Sequence, residues 1–149
     1  MYDRILLSTD GTVASEEAES HALALAEVTG ATLHALYVVD EDVVTAYSGD
    51  EYVDEAEGPE HGLAERGEET LSRVGSDAAD AGVEFVDAME TGQPAETIVD
   101  YAEERDVDLV VLGTKRRAEE YRSLLGSVTD RVLRLTARPV TVVKTEVDD

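Results

Sequence analysis

An α/β domain with a doubly wound, five-stranded parallel sheet is predicted by three features of this 149-residue chain. Strand-like and helix-like segments alternate five times from one end to the other. The strand-like segments are short and largely apolar, as expected when both faces of a sheet are covered. The helix-like segments carry acids on one side and Ala, Leu or Ile on the other. No Pro/Ser/Gly-rich linker interrupts this alternation and no internal repeat is visible, so residues 1–149 read as a single domain.

"YDRILLSTDG" gives the first strand, at about Asp3–Ser8, ending in a polar turn. "TVASEEAESHALALAEVTG" gives a helix at about Ala14–Thr29. Ala18, Ala22, Leu25 and Ala26 share its apolar side, and Gly30 stands at the C-terminal stop. "ATLHALYVVD" is the second strand. Asp40–Pro59 is a polar loop with Tyr47, Tyr52 and two glycines, expected to be mobile. "EHGLAERGEETLSRVGSDAADAG" is a second helix, weakened by Gly67 and Gly75, and "VEFVDAME" is the third strand. Thr91 and Gly92 are expected to turn the chain into a third helix. Pro94 fits its first turn, and Ile98, Tyr101 and Ala102 form its buried stripe. "VDLVVLG" is the fourth strand, followed by a loop from Gly113 to Gly126 and a helix at about Ser127–Thr136. "RPVTVVK" is the fifth strand, and the acidic tail, residues 145–149, is expected to fray.

Composition narrows the function classes. The formal net charge is -23, from 35 acidic and 12 basic residues. Such acidity disfavours nonspecific binding to DNA, RNA or anionic membranes. Only Lys115 and Lys144 are lysines, against ten arginines. Lysine depletion with an acid excess resembles proteins of extreme halophiles, where high salt screens self-repulsion. There is no cysteine, which excludes disulfides and thiolate metal sites. No apolar run approaches the ~20 residues of a membrane span, and the chain opens without a basic-then-apolar signal pattern. A cytoplasmic location is expected.

In doubly wound sheets, ligands bind beyond the strand C-termini, where strand order reverses. The candidate segments are Ser8–Thr12, Val38–Glu41 and Gly113–Gly126. Gly113 tolerates positive φ and would let a ligand approach the backbone. Gly126-Ser127 would present free N–H groups and a hydroxyl at a helix start, either as an ordinary N-cap or as an anion site. The stretch Gly113–Lys144 holds eight basic and three acidic residues, a net of +5 in a chain that is otherwise strongly negative. Arg131, Arg134 and Arg138 are expected to pair with nearby carboxylates. Lys115, Arg116 and Arg117 read equally as ligand contacts or as paired surface charges. A small anionic ligand follows from the first reading. Asp10 could serve a ribose hydroxyl or a base amino group, or simply form the turn before Gly11. His21 and His34 lack partners at metal-ligand spacing and read as structural, and His61 reads as a surface residue.

No catalytic centre is expected. There is no Cys nucleophile, no Gly-x-Ser-x-Gly elbow and no Gly-x4-Gly-Lys-Ser/Thr loop. A phospho-receiver would need an acceptor aspartate ending the third strand, which here ends Ala88-Met89-Glu90.

Four stretches together resemble the universal stress protein family. They are "ILLSTDG", "LYVVD", "TGQPAETIVDYAEERDVDLVVLGT" and "LLGSVTDRVLRLTARPVTVVK". The resemblance implies a Rossmann-like (adenine nucleotide alpha hydrolase-like) sheet of order 3-2-1-4-5, usually in a homodimer. It also implies, in one branch of the family, ATP bound by a Gly-x2-Gly-x9-Gly-Ser/Thr loop. Carried over, it places Asp10 and Val38 at the adenine and ribose, and Gly113 and Thr114 at the start of the phosphate loop. Gly126, Ser127, Val128 and Thr129 fall at the phosphates. The ligand would be ATP or another adenine nucleotide. Mg²⁺ could accompany it, although no dedicated ligand set is visible. The departure is Arg116, which stands where the pattern has its second glycine. Either the loop is strained or takes another path, or the guanidinium contacts the phosphates. The fifth strand ends the sheet with no helix after it, so a homodimer through this C-terminal strand is expected.

Overall fold

The computed structural model describes residues 2–42, 59–117 and 126–147. The segments 43–58 and 118–125, with most of the expected polar loop and Arg122, lie outside the described residues, as does the side chain of His61. The elements run β1 (Arg4–Ser8), α1 (Val13–Thr29), β2 (Thr32–Asp40), α2 (Pro59–Asp80), β3 (Phe85–Gly92), α3 (Pro94–Glu104), β4 (Leu109–Arg117), α4 (Ser127–Leu135) and β5 (Val140–Val147). All strand pairs are parallel, in the order β3-β2-β1-β4-β5. The predicted sheet and its strand order are therefore observed.

Period-two alternation on a sheet covered on both sides divides the core in two. Ile5 and Leu7 of β1 face α1 and α2, with Leu33, Ala35, Ala18, Ala22, Leu71 and Val111. Leu6 points the other way, to Leu36, Ile98, Ala102, Val110 and Val132 beneath α3 and α4. Ala18, Ala22 and Ala26 repeat every fourth position of α1, so this helix presents a smooth, small-residue face close to the sheet. Gly30, at φ 76°, ends it in the left-handed conformation. His34 takes the structural role expected of it: it is buried, and its Nδ1 lies 2.9 Å from the hydroxyl of Tyr101. His21 is exposed.

Three boundaries differ from expectation, at the ends of β3, β4 and β5, while the second helix is observed as expected. Thr91 and Gly92 are not a turn: they continue β3, paired with Val39 and Asp40, and only Gln93 separates the strand from α3. α2 runs unbroken through Gly67 and Gly75, because both glycines are places where the helix touches the sheet. A Cβ at Gly67 would lie 2.7 Å from both Met89 Cε and Tyr37 Cδ1, and one at Gly75 would lie 2.9 Å from the Phe85 ring. β4 does not stop at Gly113 but continues to Arg117, and β5 continues past Lys144 to Val147. The two extensions pair with each other, Thr114 with Lys144 and Arg116 with Glu146, so residues 145–147 are strand rather than frayed tail.

Gly113 is likewise an extended strand residue, not a positive-φ one; among the described glycines only Gly11, Gly30 and Gly82 have positive φ. Its missing side chain serves packing. A Cβ there would lie 2.3 Å from the carbonyl oxygen of Ala14 and 3.2 Å from Ser15 Cα. The Thr145 hydroxyl reaches the same carbonyl at 3.4 Å. The first turn of α1 therefore rests directly on β4.

Gly113→Ala should lower unfolding stability by about 1–3 kcal/mol, the usual cost of overpacking against a backbone that cannot move aside. Gly62→Ala, in open space on exposed α2, should leave it unchanged or raised. Urea melts of the two variants in molar KCl check this pair. Equal midpoints would show that α1 is not held where Gly113 admits it.

Candidate functional site

β1 lies between β2 and β4, and the chain leaves those strands toward opposite faces of the sheet. A crevice opens at such a reversal. Here it is a cleft of about 330 Å³. Asp10, Thr12 and Ser15 form one side of it. Val38 and Asp40 close it at the end of β2, Pro94 and Ile98 come from α3, and Leu112, Gly113 and Val128 come from β4 and α4. Of the residues named from sequence, Asp10, Val38, Gly113 and Val128 line this cleft. Thr114, Gly126, Ser127 and Thr129 stand beside it at the β4–α4 junction. Arg116 lies further along β4, opposite Glu146.

The loop after β1 is built around one carboxylate oxygen. Oδ1 of Asp10 accepts the Thr12 amide at 2.9 Å, the Thr12 hydroxyl at 2.5 Å and the Ser15 hydroxyl at 2.8 Å. Burial alone would raise the pKa of Asp10. The hydrogen bonds from Thr12 and Ser15 outweigh it and hold the group below the ordinary carboxylate value. Asp10 thus stays charged at the N-terminal end of α1, where a negative charge offsets the helix dipole. Among the described residues no donor reaches its second oxygen, Oδ2.

Behind this carboxylate runs a buried polar chain that sequence reading missed. Gly11 N–H donates to the Thr9 hydroxyl at 3.2 Å, and that hydroxyl donates to Glu19 Oε2 at 2.6 Å. Glu19, only 6% exposed, accepts both guanidinium nitrogens of Arg73 at 2.8 and 3.2 Å. A buried carboxylate needs such partners. The chain ties the loop after β1 to α2, and Thr70 of α2 fills the space that a side chain on Gly11 would need.

At the other end of the cleft, the Thr114 hydroxyl accepts the Gly126 amide at 3.2 Å and fixes the start of α4. The helical ladder begins with Asp130 N–H on the Gly126 carbonyl at 2.9 Å. The amides of Ser127, Val128 and Thr129 precede it and have no intrahelical acceptor. Gly126 supplies no side-chain cap, Ser127 and Val128 are exposed, and Thr129 is buried. The expected pairing of the later arginines is observed. Arg131 binds Glu96, Arg134 binds Asp130 at 3.0 Å, and Arg138 reaches Glu103 and Asp106 at 3.3 and 3.1 Å.

The sequence points to no part for α2 in the site, yet Leu63 and Arg66 line the cleft. The signal was present in the spacing: Leu63, Arg66, Gly67, Thr70 and Val74 repeat at helical intervals along one face. The glycine within that stripe reads as a helix fault until the packing partner is known. Among the described residues, no group of three His, Asp or Glu side chains is placed to hold a metal ion, and no helix is long and apolar enough to cross a membrane.

Comparison with known proteins agrees with this architecture. Residues 1–144 match the model of the universal stress protein family. Universal stress protein MJ0531 of Methanocaldococcus jannaschii is 38% identical over 97% of this chain and 83% of its own length. The solved structure of MJ0577, a universal stress protein of the same organism, superposes with a TM-score of 0.81 at 30% identity, covering 99% of each chain. A universal stress protein from Archaeoglobus fulgidus, solved in complex with dAMP, shares the fold at 20% identity and a TM-score of 0.67, covering 96% of this chain and 98% of that one. With the family model matched over residues 1–144 and the fold shared, this chain belongs to the universal stress protein family.

Proposed function

We propose that this protein binds an adenine nucleotide, ATP first among them, and acts as a cytoplasmic stress-response switch rather than as an enzyme. One observation carries the reading: the two helix N-termini flanking the cleft are treated differently. The start of α1 is already matched by the charge of Asp10. The start of α4 has a glycine cap, and among the described residues no side chain takes the amides of Ser127, Val128 and Thr129. An anion entering the cleft is repelled from the first and drawn to the second. The nucleoside then lies toward Asp10 and Val38, and the phosphates lie toward Gly126–Thr129. The relative solved with dAMP holds an adenine nucleotide on the same fold. At that identity the likeness carries the fold, and the argument rests on this chain's own cleft.

The described residues offer no general base beside the proposed phosphate end: Ser127 has a hydroxyl, and Asp130 is paired with Arg134. Binding without appreciable hydrolysis follows. Mg²⁺ would enter with the triphosphate rather than on ligands of the protein's own.

A second reading is a nucleotide-independent interaction module, and the extension of β4 favours it. Where the family pattern has a glycine, Arg116 is held in strand register opposite Glu146. In either reading, we propose a homodimer that pairs through β5, the outer strand of the sheet. Light scattering at micromolar concentration should give twice the chain mass; the mass of a single chain would remove the dimer.

Calorimetry in molar KCl should detect ATP and adenosine. Asp10→Ala should weaken both by roughly ten- to a hundredfold, the value of a hydrogen bond to a charged group. A folded wild-type chain that takes up neither at millimolar concentration contradicts the nucleotide reading. Arg116→Gly should weaken ATP several-fold while leaving adenosine unchanged, as expected for the loss of one screened positive charge at the phosphates. A large gain in ATP affinity would instead favour the interaction module, with its loop closed by the arginine.

A further inference from the structure

α2 is more than cover for the sheet. Its stripe Leu63, Arg66, Gly67, Thr70, Arg73 faces the loop after β1 and the end of β2. Gly67 lets the helix approach until its backbone meets Tyr37 and Met89. Thr70 packs on Gly11, and Arg73 grips Glu19. Leu63 packs against the core beneath, so four of these five positions are engaged with the protein itself. Leu63 and Arg66 line the cleft, and Arg66 is the one left to it.

Arg66 has no carboxylate within ion-pair distance and no hydrogen-bond partner among the described residues. Glu65 and Glu69 stand beside it on the same helix and do not take it. Arg4 and Arg105 likewise have no ion pair among the described residues, whereas Arg73, Arg131, Arg134 and Arg138 are paired; of the three without one, Arg66 is the one that lines the cleft. Its charge is felt by Tyr37: burial raises that phenol's pKa, and the field of Arg66 opposes the rise.

Position decides what such an arginine meets. α2 lies on the α1 face of the sheet, whereas α4 lies on the opposite face. Near Arg66 the cleft carries the carboxylates Asp10 and Asp40 with the apolar Leu63 and Val38. Two carboxylates repel phosphate groups, while apolar side chains with a planar guanidinium at the rim suit a flat aromatic ring.

We propose that Arg66 is a ligand-contacting residue for the nucleoside half of the bound nucleotide, laying its guanidinium over the purine base from α2. This rests on the nucleotide reading above and assigns to α2 a wall of that site. Gly67 is then its positioning residue, since the helix reaches the cleft only where no Cβ intervenes.

Calorimetry in molar KCl with ATP, adenosine and inorganic tripolyphosphate tests it on the wild type, Arg66→Ala and Arg66→Lys. Arg66→Ala should weaken ATP and adenosine equally, by about tenfold, the scale of a desolvated cation–π contact. Arg66→Lys should recover little of that, because the ammonium cannot stack as a plane. Tripolyphosphate should be indifferent to both changes, and the melting temperatures of the exposed-site variants should match the wild type. If the wild type binds ATP and Arg66→Ala binds it equally well, Arg66 is no contact. A loss shared by ATP and tripolyphosphate but absent for adenosine would place it at the phosphates and overturn the assignment. A wild type that takes up neither ATP nor adenosine removes the nucleotide reading, and this inference with it.

Discussion

The contact of Gly113 with the backbone of Ala14 and Ser15 is the constraint on which the site depends. A parallel sheet opens a crevice where its connections leave to opposite faces, and the seat of the helix after the first strand sets how that crevice is shaped. Here α1 rests on β4 where a side chain would sit 2.3 Å from a carbonyl oxygen. That seat puts Ser15 within reach of Asp10, and Asp10 in turn gathers Thr12. The Thr9–Glu19–Arg73 chain then fastens the same loop to α2. One missing methyl group, three hydrogen bonds to a single oxygen and one half-buried ion pair together set the shape of the cleft.

From that shape follows a polarity. The β2 end of the cleft is acidic and apolar, with Asp10, Asp40, Leu63 and Val38. The β4 end leads to the start of α4, whose amides at Ser127, Val128 and Thr129 have no intrahelical acceptor. A nucleotide has the same two-ended character, with an uncharged ring and sugar at one end and anionic phosphates at the other. In a chain of net charge -23 the contrast between the ends matters more than the charge of either. Screening by high salt weakens exposed contacts first, which leaves the enclosed ones to decide affinity.

Much of this was legible in the sequence. Alternating apolar segments gave the sheet, and Gly30, Pro94 and the alanine spacing of α1 marked helix ends and faces. The strand-end rule led to Asp10 and Val38. What was not legible depended on partners distant in sequence. Gly113 looks permissive in isolation; only α1 lying across it makes it a packing residue. Gly67 and Gly75 look like helix faults until Tyr37, Met89 and Phe85 are seen against them. β4 and β5 run past Gly113 and Lys144 because each supplies the other's backbone partners, which no single polar segment reveals. Glu19 reads as one acid among several on an exposed helix side. It is buried because Thr9 and Arg73 meet it.

The central claim is that one ligand spans the cleft with its phosphates at α4 and its nucleoside at β1 and β2. Backbone amide NMR in molar KCl, titrating ATP and adenosine separately, tests it most directly. The account predicts that both ligands shift the amides of Asp10 to Thr12 and of Val38, and that ATP alone shifts those of Ser127, Val128 and Thr129. Shifts from ATP that leave the start of α4 untouched, or adenosine shifts confined to α4, would contradict it.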